Sequence, residues 1–101
     1  MILPAEYVKY CSGDGLHEGG LIVAPGWFQL WPLGEIEDLN RDYQVQEYAP
    51  GFLGFGSSGG GELLAFDAEG SIVMIPFIGM APNEAITIAT SWSDFVSKIE
   101  Q

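Results

Sequence analysis

The sequence predicts an α+β domain with a single, largely antiparallel sheet flanked by helices. Three observations lead to this class: helical periodicity near both ends of the chain, a strand hairpin over residues 62–75, and short apolar runs bounded by glycine and proline between them. Strands that follow one another without crossover helices pair in antiparallel fashion, and the helices then pack on the sheet.

Helices are predicted at both ends and in the middle of the chain. The first begins at Pro4 and ends at Ser12, and the second covers residues 35–42. Ser91 is the predicted N-cap of the third helix, with Asp94 in a capping box. The apolar stripe of that helix consists of Trp92, Phe95, Val96 and Ile99.

Strands are predicted between these helices. Their ranges are residues 21–24, 27–31, 62–67, 71–75 and 85–90. The third and fourth ranges form the clearest hairpin, since Gly70 suits the left-handed position of the turn that joins them. Their near-continuous apolar character predicts central strands covered on both faces. Residues 45–48 are predicted to form a loop or a short strand.

Charge is the strongest compositional signal in this chain of 101 residues, whose length and 48% hydrophobic content suit one domain. Fourteen Asp and Glu residues face three basic residues, which gives a net charge of −11. Such a surface repels nucleic-acid phosphates and anionic membranes, whereas it attracts a basic protein partner. Acidity also promotes solubility without any partner, so charge alone leaves both interpretations open.

No feature of the sequence indicates secretion or membrane insertion. Cys11 is the only cysteine, so no internal disulfide forms, which is typical of a reducing compartment. The N-terminus lacks a basic segment followed by a long apolar stretch, and the longest apolar run, residues 72–82, is too short to span a bilayer. We therefore expect a cytoplasmic protein.

Residues 54–62 are rich in glycine and include the pattern G-x-G-x-x-G. Dinucleotide binding requires a helix directly after this pattern, because the helix N-terminus holds the pyrophosphate. Here strand-like sequence follows, and no Lys-Ser or Lys-Thr pair completes a phosphate loop. We interpret the segment as a structural device for entering the central hairpin, and Gly60→Val is expected to damage folding rather than binding. The residues of this motif are Gly56, Ser57, Gly59, Gly60 and Gly61.

The aromatic strand at residues 27–31 has two different faces. Alternation places Trp27, Gln29 and Trp31 on one face and Phe28 and Leu30 on the other. Burial of the tryptophans in the core is the favoured interpretation, because large aromatic rings dominate core packing. If the sheet is not fully covered, the two tryptophans instead anchor an interface.

Candidate catalytic and metal-binding residues are few. Cys11 and His17 are the only residues of their types, and a nucleophilic pair also needs an orienting third group. Cys11 is interpreted as a small buried residue on the first helix and His17 as a loop residue. We expect no catalytic residue, no metal site and no cofactor.

Seven segments occur in an order and spacing typical of one family: residues 3–7, 30–32, 40–43, 55–62, 65–67, 75–77 and 88–95. Together they resemble the SUKH superfamily, and the most specific part is the Gly-Ser-x-Gly-Gly-Gly-Glu run before a hairpin. The resemblance implies a strongly curved sheet flanked by helices. It also implies kinship with fungal cell-wall-synthesis regulators of the Smi/Knr type and with bacterial immunity proteins that neutralise toxins, often nucleases. The family has no shared catalytic residues or required cofactor.

Residues 1–101 are accordingly predicted to form a single SUKH-like domain that lacks the family's usual first helix. This helix commonly precedes the Leu3-Pro4 segment, where the present chain begins. Its absence is expected to leave apolar surface uncovered, and we hypothesise that a homodimer buries that surface. A monomeric mass by light scattering at micromolar concentration contradicts this hypothesis.

The leading functional hypothesis is a non-enzymatic immunity protein whose acidic surface binds and blocks a basic toxin. The predicted partner-binding residues are Glu35, Asp38, Asp42 and Glu62. One alternative is a regulatory scaffold related to the cell-wall regulators, which predicts partners unrelated to toxins. The other is a small enzyme, which predicts a deep pocket with convergent polar groups.

Overall fold

Six strands form one curled antiparallel sheet in the computed structural model, which describes residues 2–100. Each strand pairs with the next along the chain, so their order in the sheet is their order in the sequence. The predicted α+β class with a largely antiparallel sheet is confirmed. The strands are β1 (Glu18–Gly20), β2 (Trp27–Leu30), β3 (Leu53–Ser57), β4 (Glu62–Phe66), β5 (Ile72–Pro76) and β6 (Ile86–Ala89).

The four α-helices lie at the ends and in the middle of the described chain. They are α1 (Ala5–Cys11), α2 (Ile36–Asp42), α3 (Val45–Tyr48) and α4 (Trp92–Ser97). The predicted cap of α4 is confirmed, since the Ser91 hydroxyl accepts a hydrogen bond from the Asp94 N–H at 3.0 Å. The Asp94 carboxylate in turn accepts one from the Thr90 N–H at 2.9 Å.

The sheet buries apolar side chains on both faces. We call the face that packs against α1 and α4 the front face and the face that packs against α3 the back face. Strand β4 lies near the middle, and Leu63, Leu64 and Ala65 are all fully buried there, as the hairpin pattern predicts. Front-face core residues include Tyr7, Phe28, Phe55, Leu64, Phe66, Trp92 and Phe95. Back-face core residues are Val45, Ala49, Leu63, Ala65, Val73, Ile75 and Met80.

Aromatic rings dominate the front-face core. The Tyr7 ring meets those of Phe55, Phe66 and Trp92 at centroid distances of 5.5, 5.1 and 4.8 Å. Edge-to-face and tilted pairs of this kind each add about 0.5–1.5 kcal/mol beyond the burial of area. The Tyr7 hydroxyl, however, is buried, and among the described residues its one polar neighbour is the Cys11 thiol, a weak hydrogen-bonding group. Since such a hydroxyl loses its hydration with little compensation, it opposes folding.

Tyr7→Phe is therefore expected to leave the free energy of unfolding unchanged or to raise it by up to about 1 kcal/mol, because the ring contacts remain and the buried hydroxyl is removed. Tyr10→Phe is the matched control. The Tyr10 hydroxyl donates to the Leu16 carbonyl at 2.7 Å, so its removal is expected to lower the same quantity by about 1 kcal/mol. Urea denaturation measures both variants, and a clear loss of stability in Tyr7→Phe would contradict this account.

Asn40 completes the sheet edge where β2 ends. Its side-chain amide donates to the Gly54 carbonyl and accepts from the Gly54 N–H, both at 2.8 Å. Strand β2 pairs with β3 only as far as Gly56, so the amide satisfies the Gly54 backbone in place of a neighbouring strand. The same amide donates to the Ile36 carbonyl at 2.7 Å. Asn40 is 3% exposed and thereby joins α2 to the centre of the sheet.

Three local predictions are wrong in position or in type. Strand β1 lies at Glu18–Gly20 rather than at residues 21–24, because β2 pairs in register with these earlier residues. Val45–Tyr48 forms α3 rather than a loop or strand, since Gln44 takes a left-handed conformation (φ 56°) and its carbonyl accepts from the Glu47 and Tyr48 N–H groups. Residues 54–57 belong to β3, so only residues 58–61 form the glycine loop.

Candidate functional site

The two faces of β2 have different environments. Phe28 is fully buried in the front-face core, whereas Trp27, which points the other way, is 42% exposed. Trp31, just past the end of β2, is half-buried and packs against both the front-face and the back-face core. The predicted alternation is confirmed, but the favoured interpretation that both tryptophans are buried in the core is wrong for Trp27. The back face leaves this part of the sheet partly uncovered.

Three rings form a continuous row on the back face. Trp31 and Tyr43 are stacked, with ring centroids 5.7 Å apart and planes 11° from parallel. Tyr43 then meets Phe77, with centroids 4.8 Å apart and planes at 36°. We call Trp31, Tyr43 and Phe77 the aromatic stack. Its central ring is 45% exposed although neighbours hold it on two sides, so it is both accessible and fixed in position.

The glycine loop, residues 58–61, borders the aromatic stack. The Phe77 N–H donates to the Gly61 carbonyl at 2.9 Å, which fixes the loop beside the last ring. Gly59 has φ +78°, and a Cβ there would lie 3.3 Å from atoms of Trp27 and Gln29. The loop therefore needs glycine at position 59 both for its conformation and for its approach to β2.

Serine hydroxyls occupy the backbone donors of the loop. The Gly59 N–H donates to the Ser57 hydroxyl at 3.1 Å, and the Gly60 and Glu62 N–H groups donate to the Ser58 hydroxyl at 3.1 and 3.3 Å. A phosphate cradle needs such donors free and a helix after the loop, whereas these are used internally and β4 follows. The arrangement holds the loop in shape rather than offering it to an anion.

The four predicted acidic partner-binding residues lie on two elements. Glu35 ends a 3₁₀ turn, and Asp38 and Asp42 follow on α2; all three are exposed. Glu62 is half-buried at the start of β4, where its carboxylate accepts from the Ser58 hydroxyl at 2.8 Å. Glu35, Asp38 and Asp42 therefore form one accessible group, and Glu62 is tied to the glycine loop.

Positive charge within residues 2–100 is largely neutralised. Arg41 pairs with Asp38 at 2.8 Å, and Lys98 pairs with Asp94 at 2.8 Å. The Lys98 ammonium, together with the Thr90 N–H, holds the pKa of Asp94 below its usual value. Of the three Lys and Arg side chains in this range, Lys9 alone belongs to neither ion pair. The remaining carboxylates thus carry most of the net charge of −11 without a local counterion.

The candidate nucleophile has the wrong environment for catalysis. Burial raises the pKa of the Cys11 thiol and of the neighbouring Tyr7 phenol, so both favour the neutral form. A thiol with a raised pKa is a poor nucleophile. Among the described residues, no group of three or more His, Cys, Asp and Glu side chains is placed to hold a metal ion.

An open, mostly apolar depression of about 420 Å³ lies between α1 and α4, with Tyr10, Trp92 and Val96 among its walls. The polar groups at its rim, Glu6 and Lys9, are exposed, so the depression lacks the buried convergent polar groups that an enzyme site requires. None of the helices in the described part of the chain has the length and apolar character needed to cross a bilayer.

The comparisons with known proteins place the chain in one family. The profile of the SMI1/KNR4 family (SUKH-1) matches residues 1–98. The chain belongs to this family. No curated protein matches the sequence at a significant level. Membership in SUKH-1 confirms the resemblance seen in the sequence and is consistent with an immunity or regulatory role, because domains of this family are generally not enzymes.

Sequence patterns did not indicate that Tyr43 and Phe77 of this SUKH-1 domain contribute to a surface site. Tyr43 continues the apolar stripe of α2, which predicts burial, and Phe77 directly follows the end of β5. Alternation from Val73 through Ile75 to Phe77 does place Phe77 on the back face. The contact between Tyr43 and Phe77 is tertiary, and no pattern within either segment indicates it.

Proposed function

We propose that this chain is an immunity protein that binds a toxin and blocks its active site without catalysing a reaction. The observation that carries the proposal is the net charge of −11 on a domain of the SUKH-1 family. A family of protein-binding domains supplies the mode of action, and the charge indicates the kind of partner.

A nuclease toxin is the partner that this charge fits best. An enzyme that cleaves nucleic acid presents basic side chains to the phosphate backbone of its substrate. An acidic protein that docks on those side chains competes with the substrate and excludes it. Attraction between the opposite charges also accelerates the encounter, so association is expected to be fast and to weaken as salt rises. Such a protein would act in the cytoplasm, without a cofactor.

The acidic contact surface is proposed to include Glu35, Asp38 and Asp42, with Glu62 near the glycine loop. Glu35 and Asp42 contribute most, because the exposed Asp38 carboxylate already has Arg41 as a partner.

A homodimer of this chain is a separate proposal. A depression of about 370 Å³, whose walls include Leu3 and Leu53 as well as the polar Glu37 and Gln46, is the surface that a second copy would cover.

The proposal is tested with any toxin domain that a gene adjacent to the gene of this chain encodes, which we call a linked toxin. The chain is expected to co-purify with that domain and to protect cells that express it. A triple variant, Glu35→Gln, Asp38→Asn and Asp42→Asn, is expected to bind about tenfold more weakly, since each surface charge contributes up to about 1 kcal/mol.

The matched control removes the same charge elsewhere through Asp14→Asn, Glu69→Gln and Glu84→Gln, all at exposed positions. It is expected to change affinity less than the first triple variant, because a diffuse field matters less than contact charges. Equal losses in the two triple variants would contradict the assignment of the surface. Absence of both binding and protection for every linked toxin would contradict the immunity function itself.

A regulatory scaffold is the second candidate, and the kinship with SMI1/KNR4 regulators favours it. It predicts that affinity purification from the native host recovers partners unrelated to toxins. Protection against a linked toxin decides between the two functions, because a scaffold gives none.

A further inference from the structure

We propose that the aromatic stack on the back face is the anchor site for an arginine side chain presented by a basic segment of the partner protein. This inference rests on the proposed protein-binding function and assigns the contact within it. Its starting point is the exposed Tyr43 ring between Trp31 and Phe77.

The stack has the geometry of a binding anchor. Tyrosine and tryptophan are the residues most often found to dominate binding energy at interfaces. Here Trp31 and Phe77 already hold the Tyr43 ring, so this side chain loses little conformational entropy when a partner binds. Trp27 lies on the same face of β2, four residues before Trp31, and is also 42% exposed. The front-face core rings of Tyr7, Phe28, Phe55 and Phe95, by contrast, are fully buried and unavailable.

The charge around the stack selects a cation. Asp42 precedes Tyr43 directly, and Glu47 follows on α3; both are exposed. Neither carboxylate belongs to either of the ion pairs within residues 2–100, and Glu47 accepts a neutral hydrogen bond from the Gln44 side-chain amide at 2.8 Å. A guanidinium group can lie flat on an aromatic face while its N–H groups donate to a neighbouring carboxylate, which an ammonium group does less well. Arginine is therefore the side chain that this surface fits best.

Other occupants fit the surface less well. A second copy of this chain brings another charge of −11 to the same place, so repulsion opposes pairing of two back faces. Anionic lipid headgroups and nucleic-acid phosphates are repelled for the same reason. A neutral sugar ring can stack on aromatic side chains but makes no use of the flanking carboxylates. Charge complementarity thus favours a basic protein segment.

The first test uses decaarginine peptide as the probe and NMR as the readout, at near-physiological salt. The indole N–H resonance of Trp31, assigned through Trp31→Phe, is expected to shift on titration, whereas that of the buried Trp92 is not. Decalysine is expected to bind more weakly than decaarginine. The proposal is overturned if a neutral oligosaccharide such as cellohexaose shifts the same resonances and binds with higher affinity than decaarginine.

Tyr43→Ala is expected to weaken decaarginine binding about tenfold, as truncation of an interface anchor does. Tyr43→Phe retains the ring and is expected to bind within about twofold of the wild type. The matched control is Tyr48→Ala, which removes a tyrosine of comparable exposure (51% against 45%) outside the stack and is expected to bind like the wild type. Equal affinities of Tyr43→Ala and Tyr48→Ala overturn the proposal.

The same variants are then measured against the linked toxin. If the wild-type chain and Tyr43→Ala bind the toxin equally well, the anchor site is contradicted and the immunity function is still supported. If the wild-type chain binds no linked toxin but binds decaarginine in a Tyr43-dependent manner, the immunity function is contradicted and the anchor site is supported. The two proposals therefore fail on different results.

Discussion

Asn40→Leu is expected to lower the free energy of unfolding by about 3–5 kcal/mol, one of the two largest effects predicted for this chain. The substitution leaves both backbone groups of Gly54 buried and unpaired, and each such group costs about 1–3 kcal/mol. It also removes the bond from the Asn40 amide to the Ile36 carbonyl. Leucine has the branching and the number of side-chain heavy atoms of asparagine, so no cavity contributes to the loss; its larger methyl groups add some overpacking to the lost hydrogen bonds.

The control for Asn40 is the next residue of α2. Arg41→Ala removes an exposed ion pair with Asp38 and is expected to cost less than about 1 kcal/mol. Urea denaturation followed by circular dichroism measures both variants. If Asn40→Leu is as stable as Arg41→Ala, the amide does not complete the sheet edge. A slower hydrogen exchange at the Gly54 N–H in the wild type than in Asn40→Leu is expected as an independent sign.

Gly56→Ala is expected to cost about 3 kcal/mol or more, because the backbone of β2 leaves no room for a Cβ at this residue. A Cβ on Gly56 would collide with the Gln29 carbonyl oxygen and lie 3.3 Å from the Leu30 Cα. Both obstacles are backbone atoms of a paired strand, so neither moves without breaking the β2–β3 pairing. The expected result is a large loss of stability by thermal or urea unfolding.

Gly60→Ala provides the control within the same glycine-rich segment. A Cβ there would meet only the Ser58 hydroxyl, at 3.6 Å, and Gly60 is not among the glycines with positive φ. Its substitution is expected to change stability by less than about 1 kcal/mol. The sequence-based expectation that Gly60→Val damages folding therefore points to the wrong glycine; Gly56 and Gly59 are the constrained positions. Similar losses in Gly56→Ala and Gly60→Ala would contradict this assignment.

Local patterns predicted the elements whose own residues determine them. The β4–β5 hairpin follows from its apolar runs and from Gly70, which has φ +84° as the turn requires. The last helix follows from its stripe and from the Ser91 cap. In both cases, the interactions that fix the element lie within a few residues of one another. Such elements need no tertiary information to be recognised.

Two of the missed features depend on contacts between distant segments, and one is local. Glu18–Gly20 has low strand propensity, and its pairing with β2 makes it a strand. Val45–Tyr48 is the local case, because it becomes helical when Gln44 adopts a conformation that is uncommon outside glycine. The burial of Asn40 could be predicted from the sequence, since Asn40 lies four residues after Ile36 on the buried side of α2. A polar residue on that side indicates a buried partner but not which one.

The candidate site was predicted only in part for the same reason. The acidic group at Glu35, Asp38 and Asp42 follows from helical spacing, and the exposed row is present. The aromatic stack joins β2, the end of α2 and the segment after β5, which are far apart in the sequence. Only the folded sheet brings these rings together, so no motif within one segment predicts the site.

Inhibition of a linked toxin by the purified chain tests the central claim most directly. The toxin's activity is measured as the chain is added at fixed toxin concentration. Blocking of the active site predicts that activity falls in proportion to the added chain and is abolished near one equivalent, and that rising salt weakens the inhibition. A toxin that is saturated with the chain and still fully active would contradict the account, because binding without occlusion is not the proposed mechanism.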